Sequence, residues 1–253
     1  MKNILLLTVS LLFTVISFSQ SDEEKAQANN PLASITAFNM QQYYSPNLSG
    51  DSEATSSTYW LRFATPTGRV LWRASVPVGT YSSDKTGLDE SGLGDVDLFA
   101  AYLAVSKPKF TFGIGPSVSA PTATSDYLGT GKWTAGAAAV VFAAVSAQFQ
   151  TGALAIWRTD FAGSSNRKDV DFFAFQPFAF IQAGKGVYFR TAPTWNFNLN
   201  NGNYNVPLGI GVGKVLKINK TVLNFFIEPQ YSVLHKGPNQ PLLQFYSALN
   251  MQF

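Results

Sequence analysis

The stretch Leu242-Leu-Gln-Phe-Tyr-Ser-Ala-Leu-Asn-Met-Gln-Phe253 decides the fold. Leu243, Phe245, Leu249, Met251 and Phe253 alternate with Gln244, Tyr246, Ala248, Asn250 and Gln252; Ser247 is the one break. A period of two puts the first set on one face of an extended strand and the second on the other, and the second face is wet. Leu223, Phe225, Ile227, Tyr231 and Val233 alternate in the same way with Asn224, Glu228, Gln230 and Ser232. So do Val187, Phe189, Trp195 and Phe197 with Tyr188, Arg190, Thr194 and Asn196. An alternating strand that closes on Phe253 is the ending expected of a barrel delivered to the outer-membrane insertion machinery, which is therefore an expected partner.

Outward from this stretch, segments rich in Phe, Tyr, Val and Ala recur between clusters of Gly, Pro, Asn, Asp and Ser, which are strand and turn signals. Twelve are expected, at about 32–44, 54–66, 69–79, 93–106, 109–120, 132–143, 146–160, 168–182, 186–198, 203–216, 221–233 and 242–253. Strand six is alanine-rich and strand eight apolar on both faces, so periodicity says least about those two. The connections tend to alternate. Long ones fall at 45–53, 80–92, 121–131, 161–167, 199–202 and 234–241; short ones lie near Thr67-Gly68, Lys107-Pro108, Ala144-Val145, Lys185 and Lys217–Lys220. An antiparallel up-and-down transmembrane β-barrel has this asymmetry, with short periplasmic turns and longer outer loops. An even strand number returns both termini to the periplasm.

Aromatic positions agree. If parity assigns the lipid face, Trp133, Trp157, Trp195, Tyr204 and Tyr231 point to lipid near the outer rim, and Trp72, Tyr102, Phe110, Phe149, Phe189 and Phe253 near the inner rim. Two such girdles bracket the apolar band of an outer-membrane barrel.

Composition narrows the function. Charged residues are 13% and aromatics 14%, the opposite of a disordered chain. Eighteen Lys and Arg against fifteen Asp and Glu leave +3, with the basic residues scattered singly, so nucleic acid is not an expected partner. Without cysteine and with His235 as the one histidine, no metal site, cofactor or histidine relay is expected. Met1 to Gln20 has a basic start, an apolar run from Ile4 to Ile16, and Ser17 and Ser19 before a cleavage point, as a secretory signal does. Its thirteen-residue apolar run falls short of the ~20 residues a spanning helix needs. The expected organisation is a signal peptide at 1–19, a flexible periplasmic lead-in at 20–31 and a barrel at 32–253, placed in the outer membrane of a Gram-negative bacterium and in contact with its lipids.

Four stretches carry a resemblance: Ser91-Gly-Leu-Gly-Asp-Val-Asp97, Gly113-Ile-Gly-Pro-Ser-Val-Ser-Ala-Pro-Thr-Ala-Thr124, Asp126-Tyr-Leu-Gly-Thr-Gly-Lys-Trp133, and Phe172 to Phe180 around Gln176-Pro177. The chain resembles the transporter-like outer-membrane barrels grouped under "meta-pathway of phenol degradation". The resemblance runs from about Asn30 onward and implies a barrel that passes small compounds, aromatic ones among them. It brings no catalytic residues.

Parity turns Arg62, Arg73, Asp95, Asp97, Arg158, Arg190 and Glu228 inward. A two-residue turn at Thr67-Gly68 would set Arg62 directly opposite Arg73, a destabilising like-charge pair that needs compensation. One reading is a salt-bridged lumen, with Glu228 or the strand-four aspartates reaching the arginines; another is an anion-selective constriction of Arg62, Arg73 and Arg190; a third is a different register. Asp95 and Asp97, a carboxylate pair that could bind a cation or act as acid and base, read rather as an outer lumen rim or as partners of Arg158; Lys132 reads as a contact to lipid phosphate or a solvated loop charge. A channel or transporter for a small, anionic or aromatic solute leads, with a closed structural barrel as alternative. An outer-membrane lipid-acting enzyme ranks below both, because His235-Lys-Gly-Pro reads as a loop and no partner serine motif accompanies it.

Overall fold

The computed structural model describes residues 27–253, so the expected signal peptide and the start of the lead-in lie outside the described residues. The alternating segments form β1 (Ala37–Leu48), β2 (Thr55–Thr67), β3 (Val70–Ser83), β4 (Leu88–Leu93), β5 (Val96–Lys107), β6 (Phe110–Ala120), β7 (Lys132–Ala144) and β8 (Phe149–Gly163). Then come β9 (Asp171–Gly184), β10 (Val187–Thr191), β11 (Trp195–Asn198), β12 (Tyr204–Gly209), β13 (Gly211–Ile218), β14 (Thr221–Lys236) and β15 (Pro241–Gln252). Three staves are interrupted, at Gly94-Asp95, at Ala192-Pro193-Thr194 and at Ile210, so the fifteen segments make twelve staves. All pairings are antiparallel, and β15 pairs with both β14 and β1, which closes the sheet into a barrel with no free edge.

The turns follow their residues. Lys185 and Gly186 have φ of 52° and 78°, the doubly positive pattern of a type I′ hairpin between β9 and β10. Gly68 (φ 60°) opens a two-residue loop with Arg69, because Thr67 pairs with Val70. The expected long connection 80–92 is mostly strand: β3 runs to Ser83 and pairs with β4 from Val78–Leu93 to Ser83–Leu88. The longest outer loop is therefore 121–131, one of the expected long connections, rather than 80–92.

Outside, Leu61, Trp72, Leu98, Ile114, Trp133, Trp157, Ile181, Phe189, Val212 and Phe225 stand about half-exposed on successive staves from β2 to β14. An apolar surface continuous around a barrel suits hydrocarbon rather than water. Inside there are two clusters. One holds Phe142, Phe178, Phe180, Tyr188, Phe226 and Tyr246; the other holds Leu32, Leu71, Phe99, Leu103, Ala138 and Val140. The uncertain strands six and eight are the full staves β7 and β9. Strand β7 is alanine-rich because small inward residues such as Ala138 make room for Leu32. Strand β9 is apolar on both faces because Phe178 and Phe180 belong to the inner cluster.

Candidate lumen site

Most inward charges are paired. Arg190 Nε donates to Glu228 Oε2 at 2.7 Å, with the two residues 7% and 0% exposed. Glu228 Oε1 accepts from the Ala192 amide and from Gln230 Nε2, each at 2.9 Å. The Arg190 guanidinium lies 3.3 Å from the Phe226 ring centroid, so one face of the cation is covered as well. Arg158 lies 3.7 Å from Asp97 and donates to Ser117 Oγ at 2.8 Å. Glu228 and Asp97 are thus engaged by Arg190 and Arg158, not by Arg62 and Arg73 as the salt-bridged reading expects.

Arg62 and Arg73 do not follow this pattern. The register pairs Arg62 with Ser75 and Arg73 with Ala64, so the expected direct Arg62–Arg73 opposition is wrong by two positions. The turn residues are Gly68-Arg69 rather than Thr67-Gly68, which moves every pair by two and leaves the inward parity unchanged. The two arginines are diagonal neighbours on the same wall. Arg62 Nη1 donates to Gln41 Oε1, and the guanidinium lies 4.7 Å from the Trp60 ring centroid. Arg73 stacks over Phe99 at 5.1 Å. Neither has a carboxylate within 4 Å among the described residues, and the Nε of each is buried without a hydrogen-bond partner.

These two line a cavity of about 180 Å³. Four of its polar lining residues, Asn224, Asn250, Asn39 and Arg62, belong to one ladder row. Asn224 pairs with Asn250, Asn250 with Asn39, Asn39 with Arg62, Arg62 with Ser75, Ser75 with Asp97, and Asp97 with Ser119. Seven polar side chains thus share one inner row across seven staves, and Asn250 Oδ1, Arg62 Nε, Ser75 Oγ and Asp97 Oδ1 within it are buried without a hydrogen bond, Asp97 Oδ1 keeping only its ion pair with Arg158.

Residues 27–35 form the cavity's other boundary, and this corrects two expectations. The described part of the expected flexible lead-in, 27–31, is held in place, and 32–36 precede the first strand rather than begin it. Gln27 Nε2 donates to Pro108 O (3.3 Å), Gln252 Nε2 to Ala28 O (3.2 Å), and Asn224 Nδ2 to Asn29 Oδ1 (2.9 Å). Leu32 is 2% exposed, packed between Leu71, Leu103 and Ala138. Because Pro108 and Thr221 lie at short turns, the segment crosses the end of the barrel where β1 begins and β15 ends. No periodicity marks it in the sequence; Asn29-Asn30-Pro31 reads only as a turn.

The outer rim is organised differently from the expectation. Asp95 sits in the bulge between β4 and β5 and accepts from the Thr130 amide (2.6 Å), Thr130 Oγ1 (2.9 Å) and the Ala123 amide (3.2 Å). It clamps loop 121–131 and does not act with Asp97. Arg167, which sequence reasoning missed, ties the same loop through Asp126 at 2.8 Å and the Gly129 and Thr130 carbonyls. Lys132 lies 3.1 Å from Asp169 and 3.5 Å from Asp160. His235 is on the exposed end of β14, opposite Asn205, rather than in a loop.

Of the girdle, Trp72, Tyr102, Trp133, Trp157, Tyr231 and Phe253 are exposed. Trp195 and Tyr204 are half-buried because their rings pack on outward neighbours, Trp195 on Phe175 at 5.6 Å and Tyr204 on Phe197 at 6.5 Å.

No family model matches the chain, and no curated protein matches it. Solved structures do. It is similar to the COG4313 outer membrane channel from Pseudomonas putida F1, with a TM-score of 0.64 at 17% identity, covering 88% of this chain and 97% of that one. It is also similar to the NanC porin (TM-score 0.53, 9% identity, 86% and 98% covered). A third likeness is to the KdgM porin in complex with disordered oligogalacturonate (TM-score 0.51, 8% identity, 86% and 98% covered). At these identities the likeness is one of fold: the chain has the closed twelve-stave barrel of outer-membrane channels.

Proposed function

We propose that the protein is an outer-membrane channel for a small anionic solute, with Arg62 and Arg73 as the selecting charges. The observation that carries this reading is their isolation. Arg158 and Arg190 each have a carboxylate partner, whereas Arg62 and Arg73 face the cavity without one. Unpaired cations inside a narrow, low-dielectric wall concentrate anions and repel cations. Fold-level likeness to channels and porins raises the prior for transport but does not identify the solute. The Phe253 strand is proposed as the contact to the insertion machinery.

The test is single-channel conductance of the refolded mature protein in planar bilayers, with the reversal potential under a salt gradient. Anion preference is expected in the parent, and reversal of that preference in Arg73→Glu. Silence from protein whose folding is verified by heat-modifiable gel migration would overturn the open-channel reading. The closed structural barrel is the second reading. Residues 27–35 across the end where β1 begins and β15 ends, and the ion pair Arg190–Glu228, favour it.

A further inference from the structure

We infer that the Arg62–Arg73 cavity is a saturable binding site for a small monocarboxylate with a compact apolar body. This deepens the channel reading and rests on it for the solute's route to the site.

The chemistry follows from which cavity atoms remain unpartnered. Arg62 Nε, Arg73 Nε and Asn29 Nδ2 are buried donors without an acceptor among the described residues; Asn250 Oδ1 is the one cavity-lining acceptor in the same condition. Three donors against one acceptor call for an acceptor-rich anion rather than a sugar, whose hydroxyls bring as many donors as acceptors. Asn29 is oriented for this role, because Asn224 Nδ2 occupies its Oδ1 at 2.9 Å and leaves its Nδ2 to face elsewhere. The arginines sit two positions apart in register, Arg62 against Ser75 and Arg73 against Ala64. Diagonal neighbours of that kind are ~7–8 Å apart, within the reach of two guanidiniums on one carboxylate.

The second half of the cavity decides the body. Across from Asn39 and Asn250 the lining is Phe99, Val140, Leu154 and Phe178. An inorganic anion would leave that side unused. The volume of about 180 Å³, below the ~300 Å³ at which drug-sized pockets begin, suits a small ligand with a compact body. Arg73, over Phe99 at 5.1 Å, stands where the two halves meet.

Isothermal titration of the refolded barrel with benzoate, benzamide and inorganic phosphate tests this, with conductance recorded on the same protein. Benzoate is expected to bind saturably at one site per barrel, with benzamide and phosphate at least tenfold weaker. Arg62→Gln and Arg73→Gln are each expected to weaken benzoate at least tenfold, with Arg73→Lys between them and the parent and Lys168→Gln unchanged. Heat-modifiable migration confirms that each variant is folded. Equal binding of benzamide overturns the carboxylate, equal binding of phosphate overturns the apolar body, and unaffected Arg variants overturn the location. Conductance without benzoate binding removes the site and leaves the channel; benzoate binding without conductance supports the site and removes the channel.

Discussion

At the scale of single residues, the lumen separates charges that hold the wall from charges that face a solute. Glu228 is fully buried and engaged by Arg190, Ala192 and Gln230. Removing one partner of a buried pair strands the other, so Glu228→Ala is expected to lower stability by about 3–5 kcal/mol in denaturant titration. Replacing the pair by Met and Leu together is expected to recover most of that loss. Asp51, in the outer loop between β1 and β2, gives a pH prediction. The Ser83 hydroxyl donates to it at 2.5 Å, and the Glu53 amide adds a bond at 3.2 Å. These hold its carboxyl below the ordinary aspartate value of 3.8. A depressed carboxyl stabilises the fold above its unfolded value, and that contribution is lost as pH falls through the folded one. The Glu53 amide resonance is therefore expected to titrate with a midpoint below 3.8, and to lose this in Ser83→Ala. The sequence named Arg190, Glu228, Asp97 and Arg158 as inward by parity alone. Arg158 was readable as a partner of the strand-four aspartates, but the meeting of Arg190 with Glu228 was not legible, because the two are 38 residues apart in sequence.

At the scale of elements, the segment before β1 matters most. Leu32 anchors it in the inner cluster beside Leu71 and Ala138. Leu32→Ala is expected to weaken its docking by about 2–5 kcal/mol. Protease should then cleave ahead of β1 at least tenfold faster, and channel conductance should rise if the segment restricts the path. Unchanged cleavage would show that Leu32 does not hold it. Strand existence was legible because each lipid-facing stave repeats every second residue. Strand β7 was faint because alanine serves both faces, and the lead-in was misread because burial inside a lumen needs no periodicity. Register was misread at β2–β3 because two adjacent choices of turn residues, Thr67-Gly68 and Gly68-Arg69, satisfy the same inward parity.

For the whole molecule, closure does the work that a soluble core does elsewhere. Every stave is paired on both sides through β15, β1 and β14, and the apolar residues that would form a core in water face outward. A charge placed there should cost about 2–4 kcal/mol near the bilayer midplane. Leu61→Arg, 39% exposed on the outer face, is expected to lower the heat-modifiable folded fraction in lipid vesicles, whereas Thr67→Arg at the turn should not. The sequence by itself determined the barrel, its even stave number and the apolar face of its alternating strands. All of these follow from a two-residue period and turn chemistry, which are local. Only the tertiary structure decided that two arginines keep no carboxylate partner, that a polar row crosses seven staves, and that residues 27–35 bound the cavity. Those facts depend on which stave lies beside which and at what offset. Closure of the sheet sets that offset, and no local pattern encodes it.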